Sequence, residues 1–116
     1  MQRFLFVMRH APHQGTALQE RLDVILTTAA FDQAVSLLFL DDGVFQLKKH
    51  QQPEMFELKD TLAIFRVLEL YDINDLYVEI ESLDERGLQT TDLALPVKTV
   101  LRNQVAHLTR QFERVC

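Results

Sequence analysis

Cysteine is almost absent from this 116-residue sequence, and the one that occurs, Cys116, is its last residue. A lone cysteine closes no internal disulfide and supplies neither a C-x-x-C redox pair nor the thiols of a metal knuckle, so a reducing compartment is expected. Glycine is scarce too, with three residues. Neither the G-x-G-x-x-G fingerprint nor the P-loop pattern is present, which argues against a nucleotide cofactor. Positive charge is in the minority, 12 Lys and Arg against 17 Asp and Glu, for a net charge of -5 and a pI near 5.3. That balance gives no general attraction to nucleic acid or to anionic membrane surfaces. No apolar run approaches the roughly 20 residues that span a bilayer. The opening run Phe4–Met8 is too short for a signal peptide and is closed by Arg9 and His10 rather than by a small-residue cleavage site. A cytoplasmic location is expected.

What is present is the composition of an ordinary globular protein, 47% hydrophobic and 25% charged. The length suits one domain over residues 1–116, large enough to fold without disulfides or a structural metal. Phe4–Met8 and Val35–Leu40 are continuous apolar runs, the pattern of strands covered on both faces, and Leu76–Ile80 reads as a third strand. Between the first two, Thr16 and Gln19 have the spacing of a capping box, and Leu18, Leu22, Ile25, Leu26 and Ala29 recur at helical intervals. Residues 44–52 read as loop with a short helix. Pro53 suits the first position of a helix running to about Leu70, with Leu58, Leu62, Phe65 and Leu68 on one stripe and Phe56, Ile64 and Val67 on a second. A helix apolar on nearly two sides calls for more cover than one core gives, and an oligomer interface is one source of it. Asp72–Asp75 reads as a turn, and Ser82 with Glu85 as a second capping box, opening a short helix that Gly87 ends. A short strand is expected at Leu93–Val97, a last helix with Leu101, Val105 and Leu108, and an edge strand between Phe112 and Val115. Strands alternating with helices predict an α/β fold, a mainly parallel sheet with helices on both faces.

Several residues invite a chemical role. His10 and His13 follow the first strand, at the carboxyl edge where open α/β sheets bind ligands. No cysteine or carboxylate stands at ligand spacing from them, so no metal is expected and His13 reads as a polar residue ordering its turn. Gly15 before a helix suits anion binding only weakly. Asp41 and Asp42 fit a Mg²⁺ site less well than a solvated turn before Gly43. Ser82 has no base marked for it, and the capping box accounts for it. Cys116 reads as an incidental terminal residue, with a mobile thiol that reaches a partner as the alternative. Charge is segregated: eight acids lie between Glu69 and Asp92 against the single base Arg86. Between Leu93 and Phe112 there is no acid, and Lys98, Arg102 and Arg110 carry the charge. Such a division fits pairing with unlike chains, although solvated faces are the simpler explanation.

Four segments taken together, Ala11-Pro12-His13, the D-G-V-F-Q-L run of residues 42–47, Leu70-Tyr71-Asp72-Ile73 and the S-L-D-E-R-G-L run of residues 82–88, resemble the TusC/DsrF family of sulfur-relay subunits within the DsrE/DsrF-like superfamily. The resemblance spans residues 2–97 and is most specific in the second and fourth segments. It implies a parallel α/β sheet, no cofactor, and assembly with TusB/DsrH-like and TusD/DsrE-like sister subunits into a heterohexamer, a dimer of heterotrimers. Such complexes pass persulfide sulfur between cysteines to a downstream acceptor protein, ending in tRNA wobble 2-thiouridine in the Tus branch and in sulfur oxidation in the Dsr branch. The position that holds the carrier cysteine in sister subunits is Glu79 here, and a carboxylate carries no persulfide. The expectation is therefore a non-catalytic structural subunit of the Tus type, with Glu79 as a partly exposed carboxylate at a strand end. The alternatives are a Dsr-type subunit, a sulfur acceptor using Cys116, and a stand-alone homo-oligomer that holds a small ligand over the loop of His10, Pro12 and His13.

Overall fold

The two continuous apolar runs and the third predicted strand become the middle of the sheet. The structure, a computed structural model, describes residues 2–10, 17–48 and 67–116, with backbone alone at 17–19. In chain order the elements are β1 (Arg3–Met8), α1 (Ala17–Ala30), β2 (Ala34–Phe39), a 3₁₀ helix (Asp41–Leu47), a helical stretch at 67–70, β3 (Leu76–Glu79) and α2 (Ile80–Glu85). A 3₁₀ turn (Thr90–Asp92), β4 (Lys98–Val100), a second 3₁₀ turn (Arg102–Gln104), α3 (Val105–Thr109) and β5 (Arg114–Val115) complete the chain. The sheet order is β4-β3-β2-β1-β5, and every pairing is parallel. The predicted α/β class is therefore the observed one.

Period-two alternation sends each central strand's side chains to two cores. Phe6, Met8, Val35, Leu37, Phe39, Leu76 and Val78 pack with Leu22 and Ile25 of α1, Leu68 and Leu83. Leu5, Leu38 and Leu40 meet Leu108 of α3 and Phe112 on the opposite face. These sixteen side chains, each contributing about 1.5–3 kcal/mol on burial, are an ample driving force for one small sheet.

Two predicted elements move. The fourth strand is Lys98–Val100, not Leu93–Val97; Leu93 instead is buried and forms a single antiparallel bridge with Lys48. The helix after β3 begins at Ile80, so Ser82 lies inside it and no side chain caps its start. The Ser82–Glu85 box is thus absent. Its end is as expected: Gly87 takes φ 69°, its N–H returns to Asp84 O at 3.2 Å and that of Leu88 to Leu83 O at 2.9 Å, the paired bonds of a Schellman stop. Asp41–Gly43 is not an open turn but the start of the 3₁₀ helix, which presses on β1 so closely that a Cβ on Gly43 would overlap the Met8 carbonyl. The box at Thr16 and Gln19, the residues Pro12, His13 and Gly15, and the helix from Pro53 up to residue 66 lie outside the described residues. Among the described residues no helix is long and apolar enough to cross a membrane.

Candidate site at the carboxyl edge of the sheet

Parallel strands end together, so the residues just past β1, β2, β3 and β4 share one edge. These are Arg9 and His10, Asp41 and Asp42, Glu79 with the first turn of α2, and Arg102. Glu79, the last residue of β3, is only 5% exposed, which corrects the expectation of a partly exposed carboxylate. Burial of a charge demands partners, and three bonds converge on its Oε1. Ser82 Oγ donates at 2.6 Å, Arg102 Nε at 3.1 Å and Arg102 Nη2 at 2.9 Å.

Each partner is itself fixed. The Ser82 hydroxyl accepts the Asp41 N–H at 2.8 Å, bonding the left-handed Asp41 (φ 52°) at the end of β2 to α2. Arg102 grips Glu85 with Nη1 to Oε2 and Nη2 to Oε1, both at 2.9 Å, and its own N–H donates to Glu81 Oε1 at 2.8 Å. The guanidinium fork suits this double carboxylate grip as an ammonium would not. Nearby, Arg86 pairs with Asp42 at 3.0 Å and donates to the Ser82 carbonyl, while Arg9 pairs with Asp41 at 3.1 Å.

The electrostatics follow from the contacts. Burial alone pushes Glu79 up, but the Arg102 hydrogen bonds, the Ser82 hydroxyl and the Arg102 charge outweigh it and hold the carboxyl below the ordinary range. Glu85 is lowered chiefly by its bond to Arg102, and Arg102 is raised by Glu85 first and Glu79 second. At neutral pH the site is an ionised carboxylate locked to a cation. The structure gives Ser82 the carboxylate neighbour that the spacing did not reveal, yet Ser82 is fully buried, both roles of its hydroxyl are taken, and an acid with a lowered pKa is a weak base. Among the described residues of this edge, none is poised for attack on a substrate.

His10 and Cys116 do not join this network through their side chains. His10 is exposed and contributes its carbonyl, which accepts from Gln46 Nε2 at 2.7 Å. Gln46 is buried, and its Oε1 has no hydrogen-bond partner among the described residues. Cys116 lies at the other side of the sheet, with an exposed side chain on the β5 edge. Three strand spacings, about 14 Å, separate β5 from β3. Its main chain is no swinging arm: Cys116 N–H donates to Leu5 O at 2.8 Å, Cys116 O accepts from Val7 N–H at 2.9 Å, and Arg21 Nη2 bonds both Val7 O and Cys116 O. Sequence reading missed Arg102 as a site residue, because the misplaced fourth strand hid the fact that Arg102 follows its carboxyl end.

Comparison with known proteins places this geometry. The model of the DsrE/DsrF-like family matches residues 2–115. A Protein TusC homolog of Pseudomonas aeruginosa is 39% identical over 98% of this chain and 96% of its own length. Those of Aliivibrio fischeri and Vibrio vulnificus are 31% identical over 99% and 98%, and 37% over 86% and 85%. Among solved structures, the ychN protein from E. coli superposes with a TM-score of 0.75 at 20% identity, over 99% of this chain and 97% of the other. Protein MTH1491 from Methanobacterium thermoautotrophicum, described as of unknown function, gives 0.69 at 14%, over 98% and 97%. At those identities the two structures are evidence of fold.

Proposed function

The chain belongs to the DsrE/DsrF-like family, on its TusC side, and from that premise we propose that it is a structural subunit of a sulfur-relay assembly that carries no persulfide itself. The observation that carries the reading is Glu79. Sulfur relay needs a thiolate that attacks sulfur and is attacked there in turn. The strand end where the sister subunits are expected to hold that thiol is filled in this chain by a buried carboxylate, ionised and held by Arg102 and Ser82. A carboxylate held in this way serves structure: it joins the ends of β2, β3 and β4.

In this reading the chain assembles in the cytoplasm with TusB/DsrH-like and TusD/DsrE-like subunits as a heterohexamer, and the sulfur that passes through the complex reaches tRNA wobble 2-thiouridine by way of a downstream acceptor protein. The names of the 31–39% identical relatives favour the Tus branch over the Dsr branch. Co-expression with the two sister chains followed by native mass measurement tests the assembly. A defined hexamer containing this chain is expected, and a chain that stays a soluble monomer beside assembled sisters contradicts the reading.

A further inference from the structure

Two chain reversals lie side by side at the amino edge of the sheet, opposite the Glu79 end, and both leave large apolar side chains in water. α1 ends at Ala30, and Phe31 and Asp32 turn the chain toward β2; the helical stretch 67–70 ends at Leu70, and Tyr71 and Asp72 turn it toward β3. The reversals are built alike, with Asp32 at φ 61° and Asp72 at φ 60°. Phe31 N–H returns to Thr28 O and Tyr71 N–H to Leu68 O. β2 and β3 are adjacent, with Leu37 level with Leu76; four residues back, the same register sets Gln33 level with Asp72. The two turns therefore stand in neighbouring columns.

Phe31 is 72% exposed, Leu70 82% and Tyr71 44%, while Leu68 and Ile73 beside them are buried. Val24, farther back on α1, is also exposed. Left-handed turns of this type need no apolar residue at these places, and a cluster of large exposed apolar side chains marks an interaction surface where a scattered one does not. The charges around it are mostly acidic. Among the described residues Asp32, Glu69 and Asp72 are exposed and form no ion pair, while Asp75 beside them is paired with Lys98.

We infer that this amino edge is the docking surface for an unlike protein subunit that presents apolar side chains flanked by Lys or Arg. The inference rests on the relay-subunit reading for the identity of that subunit, one of the sister chains. Unpaired carboxylates around an apolar centre select against like surfaces: a second copy in an isologous contact would set Asp32, Glu69 and Asp72 against their own counterparts, and nucleic acid or anionic lipid would meet the same repulsion. A basic rim on the partner turns the repulsion into attraction, and Phe31 and Tyr71 supply aromatic anchors of the kind that dominate interface energetics.

The test is assembly of the full-length chain with co-expressed sister chains, read by native mass and by titration, for wild type, Phe31→Ser/Leu70→Ser, and Asp32→Lys/Asp72→Lys. All four positions are exposed, so Phe31→Ser/Leu70→Ser is expected to keep the wild-type melting curve; Asp32 and Asp72 sit at φ 61° and 60°, where Lys is more strained than Asp, so the charge variant is expected to melt lower while still folding, and a variant that fails to fold is replaced by the single exchanges Phe31→Ser and Asp72→Asn. The expected result is assembly weakened roughly tenfold or more by each double variant, with wild-type assembly falling as salt rises. Wild type and both variants assembling equally overturns the inference while leaving the relay reading intact. A wild-type chain that ignores its sisters contradicts the relay reading and this inference with it. A homodimer that the same substitutions abolish overturns the choice of an unlike partner.

Discussion

Glu79 and Ser82 share a 2.6 Å hydrogen bond inside the protein, so neither can change alone. Ser82→Ala strands the Asp41 N–H and removes a donor from a buried carboxylate; a loss of about 1–3 kcal/mol is expected, measured by urea denaturation. The pH behaviour has a definite sign. Because the folded state holds Glu79 below its ordinary range, folding disfavours its protonation, and the stability this group contributes is complete above roughly pH 4.3. It is lost as pH falls through the lowered folded value. Arg102→Met removes the cation and leaves the burial, so the Glu79 titration followed by carboxyl NMR should move up. These contacts were out of reach of sequence reading for a physical reason: Glu79 and Arg102 are 23 residues apart and meet only because β4 pairs with β3. The S-x-x-E spacing at Ser82 is equally at home inside a helix, where the hydroxyl turns back to residue 79 instead of capping.

The elements that the sequence makes plain are those buried on both faces. β1 and β2 appear as continuous, mostly apolar runs because each side of them meets a core, and β3 as a short apolar and aromatic stretch after a turn. β4 does not, because it is an edge strand whose Lys98 and Thr99 are exposed and Val100 only half-buried; the apolar Leu93–Val97 beside it drew the assignment to the wrong place. The two described glycines show how differently one residue type supports an element. Gly43→Ala drives a methyl group into the Met8 carbonyl and should cost about 3 kcal/mol or more, as the 3₁₀ helix and β1 must separate. Gly87→Ala meets open space but keeps φ 69°, and should cost only about 1 kcal/mol. Chemical denaturation of the two variants side by side checks the order.

Across the whole molecule, part of the charge division visible in the sequence is consumed within the fold. Lys98 and Arg102 of the acid-free segment bind Asp75, Glu79 and Glu85 of the acidic one across the β3–β4 border, while among the described residues Glu69, Asp72 and Asp84 stay exposed without an ion pair. What remains is a carboxyl edge cross-linked by ion pairs and an amino edge with an exposed apolar and acidic patch. Cys116 belongs to neither, exposed on the side of the sheet away from Glu79. The most direct test of a subunit that supports relay without carrying sulfur is to reconstitute the assembled complex, supply a persulfide donor, and weigh each subunit intact, with wild type and Cys116→Ser in parallel. The account predicts added sulfur on a sister subunit, none on this chain, and equal throughput for the two forms. Sulfur on Cys116, together with loss of transfer in Cys116→Ser, would contradict it.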